Sequence, residues 1–199
     1  MATDDISTRL IHHAYRAPEG FDSPLVPVAK GSTVFFPSVA ALRSRTWLDR
    51  SAYTYGLHGT PTTFTLEERL ATLEGGTHCM LVSSGLAAVT LVDIALLASG
   101  DHVLLPDNVY GPNKNFSRHE LAGWGVTHGL YDALDAASLA AAITPATKLV
   151  WLETPTNPLL NVIDVARVAE GKPKGAAPAG DNTFATPCWQ TRLDLGADL

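Results

Sequence analysis

Four short polar segments carry the residues whose types and spacing could do chemistry. They are 83–86 (SSGL), 107–112 (DNVYGP), 153–158 (ETPTNP) and 181–187 (DNTFATP). In the first, a small glycine-containing turn at the start of a helix would present free backbone N–H groups and the positive end of the helix dipole, an arrangement that suits a phosphate. The plainer reading is that Ser84 caps the helix and Gly85 makes the turn. In the second, Tyr110 could stack on a flat ligand, or be an ordinary turn residue beside Gly and Pro. In the third, two prolines fix the path around Asn157 and present it as a rigid hydrogen-bonding group; a structural Asx-turn explains it equally well. In the fourth, Asp181 offers an anion followed by Asn182 and Thr183, and an Asx-turn or helix cap is the commoner explanation for such a start.

These segments do something together only if the elements around them bring them to one place. Residues 65–74 carry Leu66, Leu70 and Leu73 at helical spacing, with Thr65 and Glu68 placed as a capping box and Gly75 as a stop. Residues 79–82, 102–105, 126–131 and 149–152 read as short strands. Residues 86–99, 113–122, 136–143 and 162–170 read as helices, the first apolar on nearly every face and so expected to be covered on all sides. Strands alternating with helices imply a parallel sheet with helices on both faces, and such sheets bind ligands at the carboxyl ends of their strands. One segment breaks the pattern. Residues 171–180 (GKPKGAAPAG) occupy the place of the next buried strand, yet contain two prolines and no β-branched or aromatic residue. Proline is largely excluded from central strands, so the expectation is no strand there and an Asp181 out of place.

Residues 1–50 differ again. Pro18, Pro24, Pro27 and Pro37 punctuate them, which predicts an extended arm. Its apolar residues Leu25, Val26, Val34, Phe35 and Phe36 would then lie across something else, such as a neighbouring subunit.

The 199 residues suit one large domain or a domain with an arm, and 46% of them are hydrophobic, so wholesale disorder is excluded. Fourteen Lys and Arg against 20 Asp and Glu leave a net charge of −6, which argues against nucleic-acid and anionic-membrane partners. The longest apolar stretch, 86–98, is broken by Asp93 and is too short to span a bilayer. The N-terminus is acidic where a signal peptide needs positive charge. A cytoplasmic location is the expectation. Cys79 and Cys188 form no C-x-x-C pair, and the adjacent His12 and His13 must diverge, so no metal site is expected. No glycine-rich dinucleotide or nucleotide motif and no G-x-S-x-G elbow is present.

Taken together, 53–76 (YTYGLHGTPTTFTLEERLATLEGG), 82–88 (VSSGLAA), 100–111 (GDHVLLPDNVYG), 148–158 (KLVWLETPTNP), 181–187 (DNTFATP) and 194–198 (DLGAD) resemble the Cys/Met-metabolism family of pyridoxal-phosphate-dependent enzymes. The resemblance covers essentially the whole chain. It implies the fold-type I PLP-transferase large domain over 51–199, an inter-subunit arm over 1–50, and a homodimer or homotetramer with active sites shared between subunits. It further implies cleavage of a carbon–sulfur bond in a cystathionine-type amino acid, with β-elimination favoured on the YGLHGTPT segment. Methionine or cystathionine γ-lyase, cystathionine γ-synthase and a non-catalytic fragment are the alternatives.

At matching positions, Gly85 and Leu86 would offer amides to the cofactor phosphate. Tyr110 would stack on the pyridine ring and take part in proton transfer, and Asn157 would lie beside the ring hydroxyl. Asp181 would pair with the ring nitrogen and raise its pKa by roughly 1–3 units. Thr183, close to that Asp, would support the cofactor pocket, and Tyr55 would reach the phosphate of the partner subunit. Two departures stand out. Many members have Arg where this chain has Leu57. Members also hold the cofactor as a Schiff base on a lysine beyond the GAD segment, whereas Lys30, Lys114, Lys148, Lys172 and Lys174 all precede Asp181. These 199 residues are therefore expected not to turn over substrate by themselves.

Overall fold

The computed structural model describes residues 5–11, 26–46, 50, 52–157 and 159–199. Pro18, Pro24, Leu25, His12 and His13 lie outside the described residues, as does Pro158. The chain divides into two compact units, Met1–Leu81 and Val82–Leu199.

In the first unit, three helices are described: α1 (Ile6–Ile11), α2 (Val39–Arg43) and α3 (Pro61–Glu74). Two short helices thus interrupt the stretch expected to be extended. Arg9 of α1 donates to the Thr72 carbonyl of α3 at 3.2 Å, while α2 buries none of its residues. The start of α3 corrects the expected capping box. Thr60 caps it, Pro61 opens it, and Thr63 reciprocates with the Thr60 N–H, five residues before the Thr65–Glu68 pair. Pro61 supplies a preset φ at a position whose N–H is not needed, which favours that earlier start. Thr65 turns its hydroxyl back to the Pro61 carbonyl instead. Gly75 ends the helix in the left-handed region, as expected.

The strand expected over 79–82 does not form. The Cys79 carbonyl is taken by Arg50 and the Leu81 N–H by Glu67 of α3, and Arg50 and Glu67 pair at 3.2 Å. Side chains here take backbone groups that a neighbouring strand would otherwise pair.

The second unit is built on four parallel strands in the order β2-β1-β3-β4: β1 (His102–Pro106), β2 (Thr127–Tyr131), β3 (Thr147–Glu153) and β4 (Ala177–Asp181). Helices α4 (Gly85–Leu96), α5 (Gly111–Phe116, continued by a π-helical turn Ser117–Leu121), α6 (Ala136–Ala142), α7 (Val165–Glu170) and α8 (Thr186–Trp189) accompany them. Alternation along the strands sorts the core into two faces. Val103, Leu105, Leu149 and Trp151 pack with Val89 of α4 and Leu121. Leu104, Val150 and Leu152 pack with Leu139 of α6 and Val165 and Val168 of α7. This is the expected α/β architecture, a fold-type I large-domain sheet with helices on both faces.

Two expectations are corrected in this unit. Helix α4 is not covered all round: Val89 and Asp93 are its buried residues, and Ile94 is 54% exposed. Residues 171–180 do supply a strand. β4 pairs in parallel with β3, Pro178 opposite Val150 and Asp181 opposite Glu153. The Pro178 carbonyl accepts from the N–H groups of Asp198 and Leu199, and the Gly180 N–H reaches the Leu199 carbonyl. Residues 178 and 180 therefore point their backbone groups away from β3. The N–H that proline lacks is not one the β3–β4 ladder uses, and its φ is compatible with the strand.

Candidate functional site

The carboxyl ends of β1, β3 and β4 form one rim of this sheet, and a single carboxylate organises it. Glu153, the last residue of β3, is only 3% exposed. Its Oε2 accepts the Tyr110 N–H at 2.6 Å and its Oε1 the Asn157 N–H at 2.7 Å. One buried side chain thus holds the start of α5 and the 154–157 loop together. The loop is further pinned by Thr154, whose hydroxyl accepts the Ile163 N–H, and by Thr156, whose backbone and side chain both bond to Asn161. Burial pushes the Glu153 carboxyl above the usual range. The two N–H bonds oppose that rise, the Asp181 charge adds to it, and the Arg192 charge opposes it.

On the neighbouring strand, Asp181 stands level with Glu153. Its Oδ1 accepts from the Thr183 N–H at 3.0 Å and the Thr183 hydroxyl at 2.6 Å. The Asx-turn reading of this segment is therefore correct as local structure. It leaves Oδ2 without a bond among the described residues, so one carboxylate oxygen is fixed and the other is available. The Asn157 side chain is exposed, with only its backbone engaged among the described residues.

Helix α4 runs down to the amino end of β1, so it begins on the carboxyl side of the sheet. Asp93 of α4 accepts from the Trp151 indole N–H of β3 at 2.8 Å and fixes that helix against the strand. Ser84 caps α4 through the Ala87 N–H. Gly85 and Leu86, its first two residues, have no helical carbonyl four residues behind them to bond. Above Gly85 the space is open, with nothing within 4 Å of where a Cβ would stand.

Tyr110, Asn157, Asp181 and Thr183 are thus brought together around Glu153, and Gly85 and Leu86 belong to the same end of the sheet. Tyr55 is in the first unit, 37% exposed and edge-on to His58, with Leu57 exposed between them. Two residues of the rim went unsuspected in the sequence. Glu153 was visible only as the first residue of the 153–158 segment, with no role of its own. Arg192, 3% exposed, donates from Nε to the Asn182 side chain at 3.1 Å and from its guanidinium to the Thr154 carbonyl, and no pattern marked it. A cavity of about 170 Å³ between α6 and α7 is lined by Tyr131, Leu139, Ile163, Asp164 and Arg167 among others, and by none of Tyr110, Asn157 and Asp181. Among the described residues no helix is long and apolar enough to cross a membrane, and no group of three metal-binding side chains is found.

A parallel sheet whose carboxyl rim gathers a free helix start, an aromatic residue, an amide and a half-occupied carboxylate is a coenzyme-binding α/β arrangement. The chain belongs to the Cys/Met metabolism PLP-dependent enzyme family, which it matches over residues 7–199. It is 36% identical over 195 residues to the cystathionine beta-lyase MetC of Bacillus subtilis, covering 98% of this chain and 48% of that protein. It is 38% identical to a cystathionine gamma-synthase of Mycobacterium tuberculosis and 37% to the L-methionine gamma-lyase of Pseudomonas putida, over 97% of this chain and 48% and 49% of theirs. Among solved structures, metB from Corynebacterium glutamicum superimposes with a TM-score of 0.87 at 34% identity, over 98% of this chain and 49% of that one. The chain spans about half the length of these relatives. The family's cofactor is pyridoxal 5'-phosphate.

The residues of this rim fit that group. An open helix start with unpaired amides suits a phosphate dianion, and a carboxylate with one oxygen anchored and one free suits a protonated ring nitrogen.

Proposed function

We propose that this chain supplies the cofactor-binding part of a pyridoxal-phosphate-dependent carbon–sulfur lyase that acts on cystathionine-type amino acids by β-elimination. The observation that carries the reading is a rim on which the buried Glu153 holds Tyr110 and Asn157 while the β3–β4 ladder sets Asp181 beside it. When bound, the coenzyme supplies an electron sink for the carbanion formed at the substrate Cα. Gly85 and Leu86 hold its phosphate through backbone amides. Asp181, steadied by Thr183, keeps the ring nitrogen protonated through its free oxygen. Tyr110 covers the ring and moves a proton, and Asn157 bonds the ring hydroxyl. Tyr55 serves the phosphate of a partner subunit, so the working enzyme is a homodimer or homotetramer. Its location is the cytoplasm, and its small-molecule partner is an amino acid.

The names of the relatives keep three neighbouring activities in view, because β-lyases, γ-synthases and γ-lyases match at nearly equal identity. The products separate them. A polypeptide in which these residues are continued by the lysine-bearing segment should release homocysteine and pyruvate from cystathionine. Cysteine and 2-oxobutyrate would assign γ-elimination instead, and neither pair would leave the γ-synthase and the non-catalytic reading.

The binding part of the proposal is tested on the 199 residues themselves. Pyridoxamine 5'-phosphate, which needs no lysine, should bind. Asp181→Asn should weaken it at least tenfold, since a hydrogen-bonded ion pair is worth about 1.5–3 kcal/mol. An unchanged affinity would remove Asp181 from the site.

A further inference from the structure

Strands β3 and β4 end side by side on two acids, Glu153 and Asp181. Neighbouring carboxylates repel, and each makes the other harder to ionise. A buried guanidinium is present where that repulsion must be balanced. Arg192 is 3% exposed, and a desolvated cation is costly unless hydrogen bonds hold it. Its Nε bonds the side chain of Asn182, the residue after Asp181, and its guanidinium bonds the carbonyl of Thr154, the residue after Glu153. Asn182 in turn donates to the Gln190 carbonyl at 2.8 Å, closing the loop that returns Arg192 to the rim. The path of the Arg192 arm is cut for it. A Cβ on Gly180 would stand 2.5 Å from Arg192 Cδ, so β4 admits the arm only because residue 180 has no side chain.

We propose that Arg192 is a positioning residue for the coenzyme site, tying the end of β4 to the end of β3 so that the Asp181 carboxylate keeps a set place relative to Tyr110 and Asn157. It acts through Asn182 and Thr154 and touches no ligand itself. The ligand half of the proposal rests on the coenzyme reading above; the geometric half does not.

The experiment has two arms. In the ligand-free 199-residue chain, hydrogen exchange is compared for wild type, Arg192→Met, Arg192→Lys and Gly180→Ala. The Thr183 and Thr186 amides, bonded to Asp181 and Asn182, should exchange at least about tenfold faster in Arg192→Met while the β1–β3 ladder is unchanged. Gly180→Ala, which displaces the arm and keeps the charge, should reproduce this, and Arg192→Lys should recover part of it. Unaltered exchange at those amides, or equal acceleration through the whole sheet, would overturn the proposal.

In the second arm, pyridoxamine 5'-phosphate is titrated into Arg192→Met, Asp181→Asn and the double variant. Arg192→Met should weaken binding about tenfold, and the double variant should match Asp181→Asn, as expected when one residue acts through the other. Losses that multiply would count against it. If wild type fails to bind this probe at all, the coenzyme reading falls, and the exchange comparison still decides the role of Arg192.

Discussion

Asp93 shows how a single buried acid can be read as a stability statement. It has no exposed surface, its Oδ1 is held by Trp151, and its Oδ2 has no partner among the described residues. Burial pushes its pKa up to about 6 from the ordinary 3.8, and the indole bond pulls the other way. The unfolded chain therefore loses this proton first. Stability from this group is full below about pH 4, falls as pH rises toward 6, and is flat above, a loss of order 3 kcal/mol by linkage. Asp93→Asn keeps an acceptor for Trp151 and should remove that slope, so urea midpoints at pH 4.5 and 8 should converge. Glu153 poses a different problem, because its two oxygens satisfy two backbone donors. Glu153→Leu leaves the Tyr110 and Asn157 N–H groups without their acceptor and should cost about 2–5 kcal/mol, with Glu153→Gln losing less. Equal urea midpoints for the two variants would contradict this account. Part of this was legible in the residues: Tyr110, Asn157 and Asp181 were singled out for their chemistry. The residue that holds the first two together was not, because an acid at a strand end looks like any solvated acid until its partners arrive from positions 43 residues before it and 4 after.

Among the elements, β4 carries the argument. Its composition is that of a turn, and local propensity has nothing to recommend it as a strand. Its partner β3 supplies the ladder, and its parity decides which residues must donate. Since 178 and 180 face away from β3, Ala179 faces toward it, opposite Trp151. Pro178→Ala should therefore be close to neutral, whereas Ala179→Pro removes a ladder donor and should cost about 3 kcal/mol or more. Chemical denaturation of the two variants distinguishes them, and equal costs would mean the parity is wrong. Helix α3 makes a related point. Thr60, Pro61 and Thr63 form a cap that outcompetes the Thr65–Glu68 signal one turn later, and Thr60→Ala should lower stability by about 1 kcal/mol.

For the molecule as a whole, several large apolar side chains stand exposed. Phe35 is 95% exposed in the first unit, and Ile94 (54%), Phe184 (50%) and Trp189 (87%) are exposed in the second. Large apolar side chains left in water promote association. The 199 residues should sediment as a concentration-dependent mixture, and Ile94→Gln with Trp189→Ser should shift it toward monomer. A single species at all concentrations for the parent chain would contradict this.

The amino-acid sequence by itself determined the alternation of strand and helix, hence the parallel sheet, and the motifs that mark the family. Those signals are local or reside in short spacings, so they survive without knowledge of partners. Only the tertiary structure decided that residues 177–181 form a strand, that 79–82 do not, and that Glu153 and Arg192 bind the rim together. Each of those outcomes depends on which hydrogen-bond partner a distant segment brings within reach, and no residue carries that information alone.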